Sequence, residues 1–250
     1  MNQSSMNLTN YLLKNLTDLF EKNKDNEKAI PMEKYFKNHF SFLGIKTPER
    51  RALMKQFFAE TGLLKLGFQH AFVEGLWEKE EREYQYAALD YVNKSLKLLT
   101  KDNLPLFEKL ITTKSWWDTV DSIAPNAVGQ IAKGYPDVKD EVIENWAFGD
   151  YLWLRRASIL FQLKYKGMTE ESRLYRYIVQ NASSRDFFIQ KGIGWALREY
   201  SKTNPESVRR FICEHELPSL SVREGSKYIE MPCINLSENS KICYCKGAET

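Results

Sequence analysis

Two indoles and two carboxylates crowd one short stretch, "TTKSWWDTVDSIAP", where Trp116, Trp117, Asp118 and Asp121 fall within six positions. Adjacent residues on a helix diverge by about 100°, so the two indoles cannot enter the same core. With 115–124 taken as helix, Trp116, Val120 and Ile123 form one apolar stripe, which makes Trp116 core. Trp117, Asp121 and Ala124 form a second stripe, with an indole and a carboxylate one turn apart. A second constellation lies in "GIGWALREY", where Trp195 and Arg198 stand at i, i+3 behind Gly192 and Gly194. Glycine inside a helix costs up to about 1 kcal/mol against alanine, so it needs a reason such as close backbone approach.

The elements that would position these groups are helices. "KTPERRALMKQFF" offers Thr47 as N-cap with Pro48 and Glu49 behind it, and "TNPESVRRFI" repeats the device with Asn204, Pro205 and Glu206. "LSVREGSK" has Ser221 and Glu224 at capping-box spacing. Apolar residues recur at three and four positions and no sustained period of two is found, so the sequence predicts an all-α chain. "REYQYAALDYV", "YLWLRRASILFQL" and "DFFIQKGIGWAL" align at Ala87, Ala157 and Gly192. The step of 35 places Tyr86, Asp121, Arg156 and Lys191 at equivalent positions of successive helix pairs, the signature of an α-solenoid with a concave groove. The alternative is a generic helical bundle in which the register is coincidental.

Composition limits what this frame can do. The 250 residues carry a formal charge of only +3, with 43% hydrophobic and 13% aromatic residues. Between Asp150 and Lys227, 14 Lys and Arg face 9 Asp and Glu, so the basic character lies in the C-terminal half. No apolar run approaches a membrane helix, and the start lacks a targeting pattern. Cys213, Cys233, Cys243 and Cys245 cluster near the end, too few for a disulfide framework and suited to a reducing, cytoplasmic setting. "KICYC" has no partnering ligand pair, so neither a metal nor another cofactor is expected.

A groove with two indoles, one carboxylate and the guanidiniums of Arg156 and Arg198 suits a polyanion that contains a local cation. Arginines bind phosphate oxygens in forked, charge-assisted bonds. Indole faces attract cations by about 0.5–2 kcal/mol. DNA bearing a purine alkylated at N3 or N7 is such a ligand, and cleavage of its glycosidic bond passes through an oxocarbenium-like sugar that a carboxylate stabilises. The bland readings stand beside this one: each Trp as core, Asp121 paired with Lys114, Arg156 as a solvated charge, Arg198 paired with a surface acid.

The strings "PMEKYFKNHFSFLGIKTPERR", "LWEKEEREYQYAALDYV", "ITTKSWWDTVDSIAP", "WLRRASILFQLKYK" and "FFIQKGIGWALREYSKTNP" resemble the AlkD family of bacterial DNA alkylation-repair glycosylases, over about Tyr11 to Lys227. The resemblance implies a superhelix of HEAT-like repeats over residues 1–230 that cradles double-stranded DNA as a monomer. It implies removal of cationic N3- and N7-alkylpurines without extruding the base. By motif, Trp117, Asp121 and Trp195 match the family's catalytic indoles and carboxylate. Arg156 and Arg198 match DNA-backbone contacts, and Tyr35 matches a residue facing the duplex; Lys191, from the 35-residue column, joins the DNA-binding set. After "SVREGSKYI" the sequence departs from the family: "EMPCINLSENSKICYCKGAET" has Pro232, the polar run "SENS" and no apolar period, and residues 231–250 read as a tail. The alternative of another class is a non-catalytic helical-repeat module for unusual DNA structures or proteins, which would be expected to lack the Trp–Asp pair.

Overall fold

Helix punctuation survives in the three-dimensional structure, a computed structural model, with instructive shifts. Asn204 caps its helix, accepting from the backbone N–H of Ser207, with Pro205 in the first turn. Thr47 is one residue inside its helix, and Lys46 takes the cap position. Ser221 is no cap at all. The helix begins at Ser219 behind Pro218, Ser221 is its third residue, and its hydroxyl donates to the carbonyl of Gln190 at 2.8 Å. Serine and glutamate three apart mark one helix face as readily as a helix start, and here they mark a face.

The structure describes residues 3–231, with side chains from Met6 onward. The tail from Pro232, with Cys233, Cys243 and Cys245, lies outside the described residues. Among the described residues the fold is all-α, with no strand, and no helix is long and apolar enough to cross a membrane.

The chain divides into two compact units, the first ending at Leu106 and the second starting at Phe107. In the first, α1 (Gln3–Lys22), α2 (Asn26–Tyr35), α3 (Thr47–Thr61), α4 (His70–Glu78) and α5 (Arg82–Lys94) follow one another. Its core holds Leu16, Phe20, Phe57, Phe72 and Tyr91, all sealed from solvent. The buried carboxylate of Glu83 pins the α2–α3 connection by accepting the N–H groups of Leu43, Gly44 and Ile45 at 3.0, 3.0 and 3.1 Å.

The second unit comprises α6 (Leu104–Thr112) from Phe107 on, α7 (Trp117–Ile123), α8 (Gly129–Gly134), α9 (Glu144–Phe148), α10 (Leu152–Leu160), α11 (Glu171–Asn181), α12 (Phe187–Ser201), α13 (Pro205–Glu214) and α14 (Ser219–Gly225). Pro125 has no N–H to continue the α7 hydrogen-bond ladder, and the backbone widens into a π-helical stretch over Ala124–Val128 before α8 resumes. Successive helices pack on one another: α7 on α10, α10 on α12, and most extensively α12 on α14.

The last contact depends on Gly194. A Cβ there would lie 2.6 Å from Glu224 Cβ and 3.1 Å from the Ser221 carbonyl oxygen. Alanine would gain up to about 1 kcal/mol of helix propensity, but α14 would have to move off α12, at a cost of about 1–3 kcal/mol for overpacking. The overlap is with a backbone-proximal carbon that cannot rotate away, so the packing cost dominates. Gly194→Ala is expected to lower the denaturant midpoint with an unchanged m-value; a midpoint equal to or above that of the parent would contradict this contact.

Candidate functional site

Trp117 opens α7 and Asp121 follows one turn later, on a stripe about 100° around the helix from the sealed Val120 and Ile123. The doublet is split as its spacing requires, though Trp116 is not on the core stripe. Its backbone is extended (φ −159°, ψ 164°), just before the helix. Its indole is half-buried and packs on Trp153 and Phe188, with ring centroids 5.8 and 5.2 Å away, while Trp153 and Phe188 lie 5.0 Å apart. Such pairs contribute about 0.5–1.5 kcal/mol each beyond area burial. Ala124, expected beside Trp117 and Asp121, is fully buried where the π-helical stretch begins.

Asp121 meets Arg156 across the 35-residue step. Arg156 Nε donates to Oδ1 and Nη2 to Oδ2, both at 2.8 Å. The two side chains are 16% and 5% exposed, so this fork is nearly dry. The third donor, Nη1, bonds the carbonyl of Phe188 in the first turn of α12. Arg156 is therefore turned inward, joining α7, α10 and α12, with Nε, Nη1 and Nη2 all engaged. Gly192 is what makes room for it: a Cβ there would stand 3.0 Å from Nη1. Burial pushes the Asp121 carboxyl above its ordinary value, with the Arg156 fork pulling the other way and Asp118 adding a little to the rise.

The first turn of α12 is fixed by Asp186, which accepts from Phe188 N at 2.7 Å and Ile189 N at 3.2 Å. One, two and three turns further along, Lys191, Trp195 and Arg198 face the same space. Lys191 Nζ donates to Glu224 Oε1 at 2.9 Å and Arg198 Nη1 to Glu224 Oε2 at 3.3 Å. Lys227 Nζ reaches the same Oε2 at 2.7 Å. Lys227 and Lys191 hold the Glu224 carboxyl down at about 2.

These groups share one open cleft of about 390 Å³, lined by Trp117, Asp121, Arg156, Phe187, Phe188, Lys191, Trp195, Arg198, Glu224 and Lys227. Of the residues singled out in the sequence, Trp117, Asp121, Arg156, Lys191, Trp195 and Arg198 all line it. Tyr35, at the end of α2 in the first unit, is 71% exposed with its ring edge-on to Phe36. Glu224, Lys227, Phe187 and Phe188 line the cleft too, without a signal in the sequence beyond the Ser221–Glu224 spacing, which reads as a cap. Four cations against two carboxylates leave the cleft with a net charge of +2. The cleft combines a nearly dry, oriented carboxylate, two indoles and partly exposed cationic heads, a set suited to a polyanion with a cationic centre. Among the described residues no three His, Cys, Asp or Glu side chains gather closely enough to hold a metal ion.

Comparison with known proteins gives a consistent picture. Residues 16–229 match the family model of the DNA alkylation repair enzymes. A solved structure from Enterococcus faecalis, described as a predicted DNA alkylation repair enzyme, is 35% identical, with a TM-score of 0.73 over 82% of this chain and 96% of its own. Among curated proteins none matches.

Proposed function

The chain belongs to the DNA alkylation repair enzyme family, and from that premise we propose that it is a monofunctional DNA glycosylase. It hydrolyses the N-glycosidic bond of positively charged N3- and N7-alkylpurines in duplex DNA, without base flipping. The observation that carries this reading is the Asp121 carboxylate, held by a two-point guanidinium fork and sharing an open cleft with Trp117 and Trp195.

The alkylated base leaves as a neutral purine, so the sugar is the fragment that gains positive charge as the bond breaks. A carboxylate already stripped of most of its water faces that charge with little reorganisation. Arg156 fixes both oxygens and so sets the direction of their lone pairs, which stabilise the oxocarbenium ion and orient the attacking water. The indole faces of Trp117 and Trp195 hold sugar and cationic base by cation–π attraction. Backbone phosphates fall to Lys191 and Arg198, whereas Arg156, turned inward, acts through Asp121. In this reading water, not an amine, is the nucleophile; the ion pair of Lys191 Nζ with Glu224 keeps that amine charged and supports this. The cleft is open-sided and offers no deep socket for an extruded base, which favours reading the lesion within the duplex.

Incubation with duplex DNA containing 7-methylguanine tests the proposal. Free 7-methylguanine and an abasic strand, without strand cleavage, are the expected products; binding without any base release from 7-methylguanine or 3-methyladenine duplexes would leave a non-catalytic module instead.

A further inference from the structure

Glu224 is an acid in a cleft that faces a polyanion, and simple charge balance would have it absent. Its position is nevertheless secured: Gly194 allows α14 to close on α12, and Ser221 ties α14 to the carbonyl of Gln190. The carboxylate is 10% exposed, while the three side chains it holds, Lys191, Arg198 and Lys227, are 37%, 27% and 45% exposed. Exposed ion pairs of this kind add little stability. One carboxylate also cannot neutralise three cations, so an excess of two positive charges is left at the cleft. Lys191 and Arg198 are seven residues apart on α12, two turns along one face, and Lys227 comes from beyond α14. Without a shared anchor these long side chains would repel one another and spread into solvent.

We propose that Lys191, Arg198 and Lys227 form a single phosphate-gripping cluster, in which Lys227 is a further DNA-backbone contact and Glu224 is the positioning residue that holds the three cationic heads together. This rests on the reading of the cleft as facing DNA. The Glu224 carboxyl, held at about 2, stays ionised at any working pH, so the anchor is permanent. A strand arriving at the cleft meets cations that have already lost their freedom, and the entropy of ordering them is spent before binding.

The salt dependence of binding to lesion-free duplex DNA, read by fluorescence anisotropy, separates positioning from mere charge. Lys227→Gln is expected to reduce the slope of log K against log salt by about 0.9, the value of one phosphate contact. Glu224→Gln adds one positive charge to the cleft, so a bystander acid predicts tighter binding. The positioning role predicts weaker binding, by about 3–10-fold at fixed salt, and a rise in KM larger than any fall in kcat for 7-methylguanine release. An unchanged slope in Lys227→Gln, or tighter binding in Glu224→Gln, overturns the cluster. Should Glu224→Gln fail to fold, Lys227→Gln decides alone, because its exposed side chain removes little packing. Slope changes without base release from any lesion would sustain the cluster and remove the glycosylase reading; base release with unchanged slopes would do the reverse.

Discussion

Asp121→Asn is expected to slow release of 7-methylguanine from duplex DNA by about 10²–10³-fold, the scale of losing one preorganised electrostatic group at a reacting centre. The amide is isosteric and keeps one oxygen for the Arg156 fork, although its NH2 meets a guanidinium donor and some stability is lost with the counter-ion. Below the variant's melting range, what vanishes at the reacting centre is the negative charge facing the sugar. Duplex affinity in the ground state should change little, and the loss should fall on kcat. A pH profile adds a second signature. Burial raises the Asp121 carboxyl above the ordinary value of 3.8, and only its ionised form can stabilise the sugar cation. Activity should therefore fall as pH drops through that raised value, with the decline setting in before an exposed aspartate would begin to protonate. The alkylated purine is a fixed cation and contributes no ionisation of its own there. The Asn variant should lose the acid limb and keep a low, flat rate. Undiminished release by Asp121→Asn, or an acid limb that survives in it, would sink this role for the carboxylate.

Much of this site could be read before any fold was known, because helical geometry fixes which residues share a face. Trp117 and Asp121 at i, i+4 had to point together, and the 35-residue step placed Asp121 level with Arg156, where the ion pair forms. The same logic explains what was missed. A repeat register says which face a side chain is on and is silent about whether it turns outward or back. Arg156 expected as a phosphate contact and Arg156 as a buried fork occupy the same column, and what separates them is the Phe188 carbonyl on a different helix. Glu224 was hidden by a local pattern that competes with its tertiary role. Trp116 left the predicted stripe because α7 starts at Trp117, two residues after the expected start, so Trp116 has extended backbone before the helix and does not follow the helical register. The glycines were legible as anomalies, yet their partners, Arg156 for Gly192 and Glu224 for Gly194, come from helices about 36 residues back and 30 residues on.

Removing the other half of the fork should have the larger effect on stability. Arg156→Ala deletes a guanidinium that bonds both oxygens of Asp121 and the Phe188 carbonyl, and it leaves a carboxylate that is 16% exposed with no counter-ion in its place. Breaking one side of a buried ion pair costs about 3–5 kcal/mol, because the desolvation of the remaining charge is no longer offset. For a chain of this length that corresponds to a fall in melting temperature of roughly 6–20 °C at neutral pH. The penalty has a distinctive pH dependence. Without Arg156 the folded-state carboxyl moves further above its unfolded value, so the folded protein binds the extra proton and becomes relatively more stable as pH falls through the range between the two values. The deficit of Arg156→Ala against the parent should therefore shrink in mild acid, opposite to the usual acid loss of an ion-paired aspartate. The double variant Asp121→Asn with Arg156→Ala removes the stranded charge and should recover part of the lost stability at neutral pH, while base release stays as slow as in Asp121→Asn alone. Thermal melts of the four proteins at neutral and mildly acidic pH supply the comparison. Strict additivity of the two single losses, with no narrowing of the deficit in acid, would mean that Asp121 and Arg156 are not energetically coupled and that the fork does not hold the carboxylate in place.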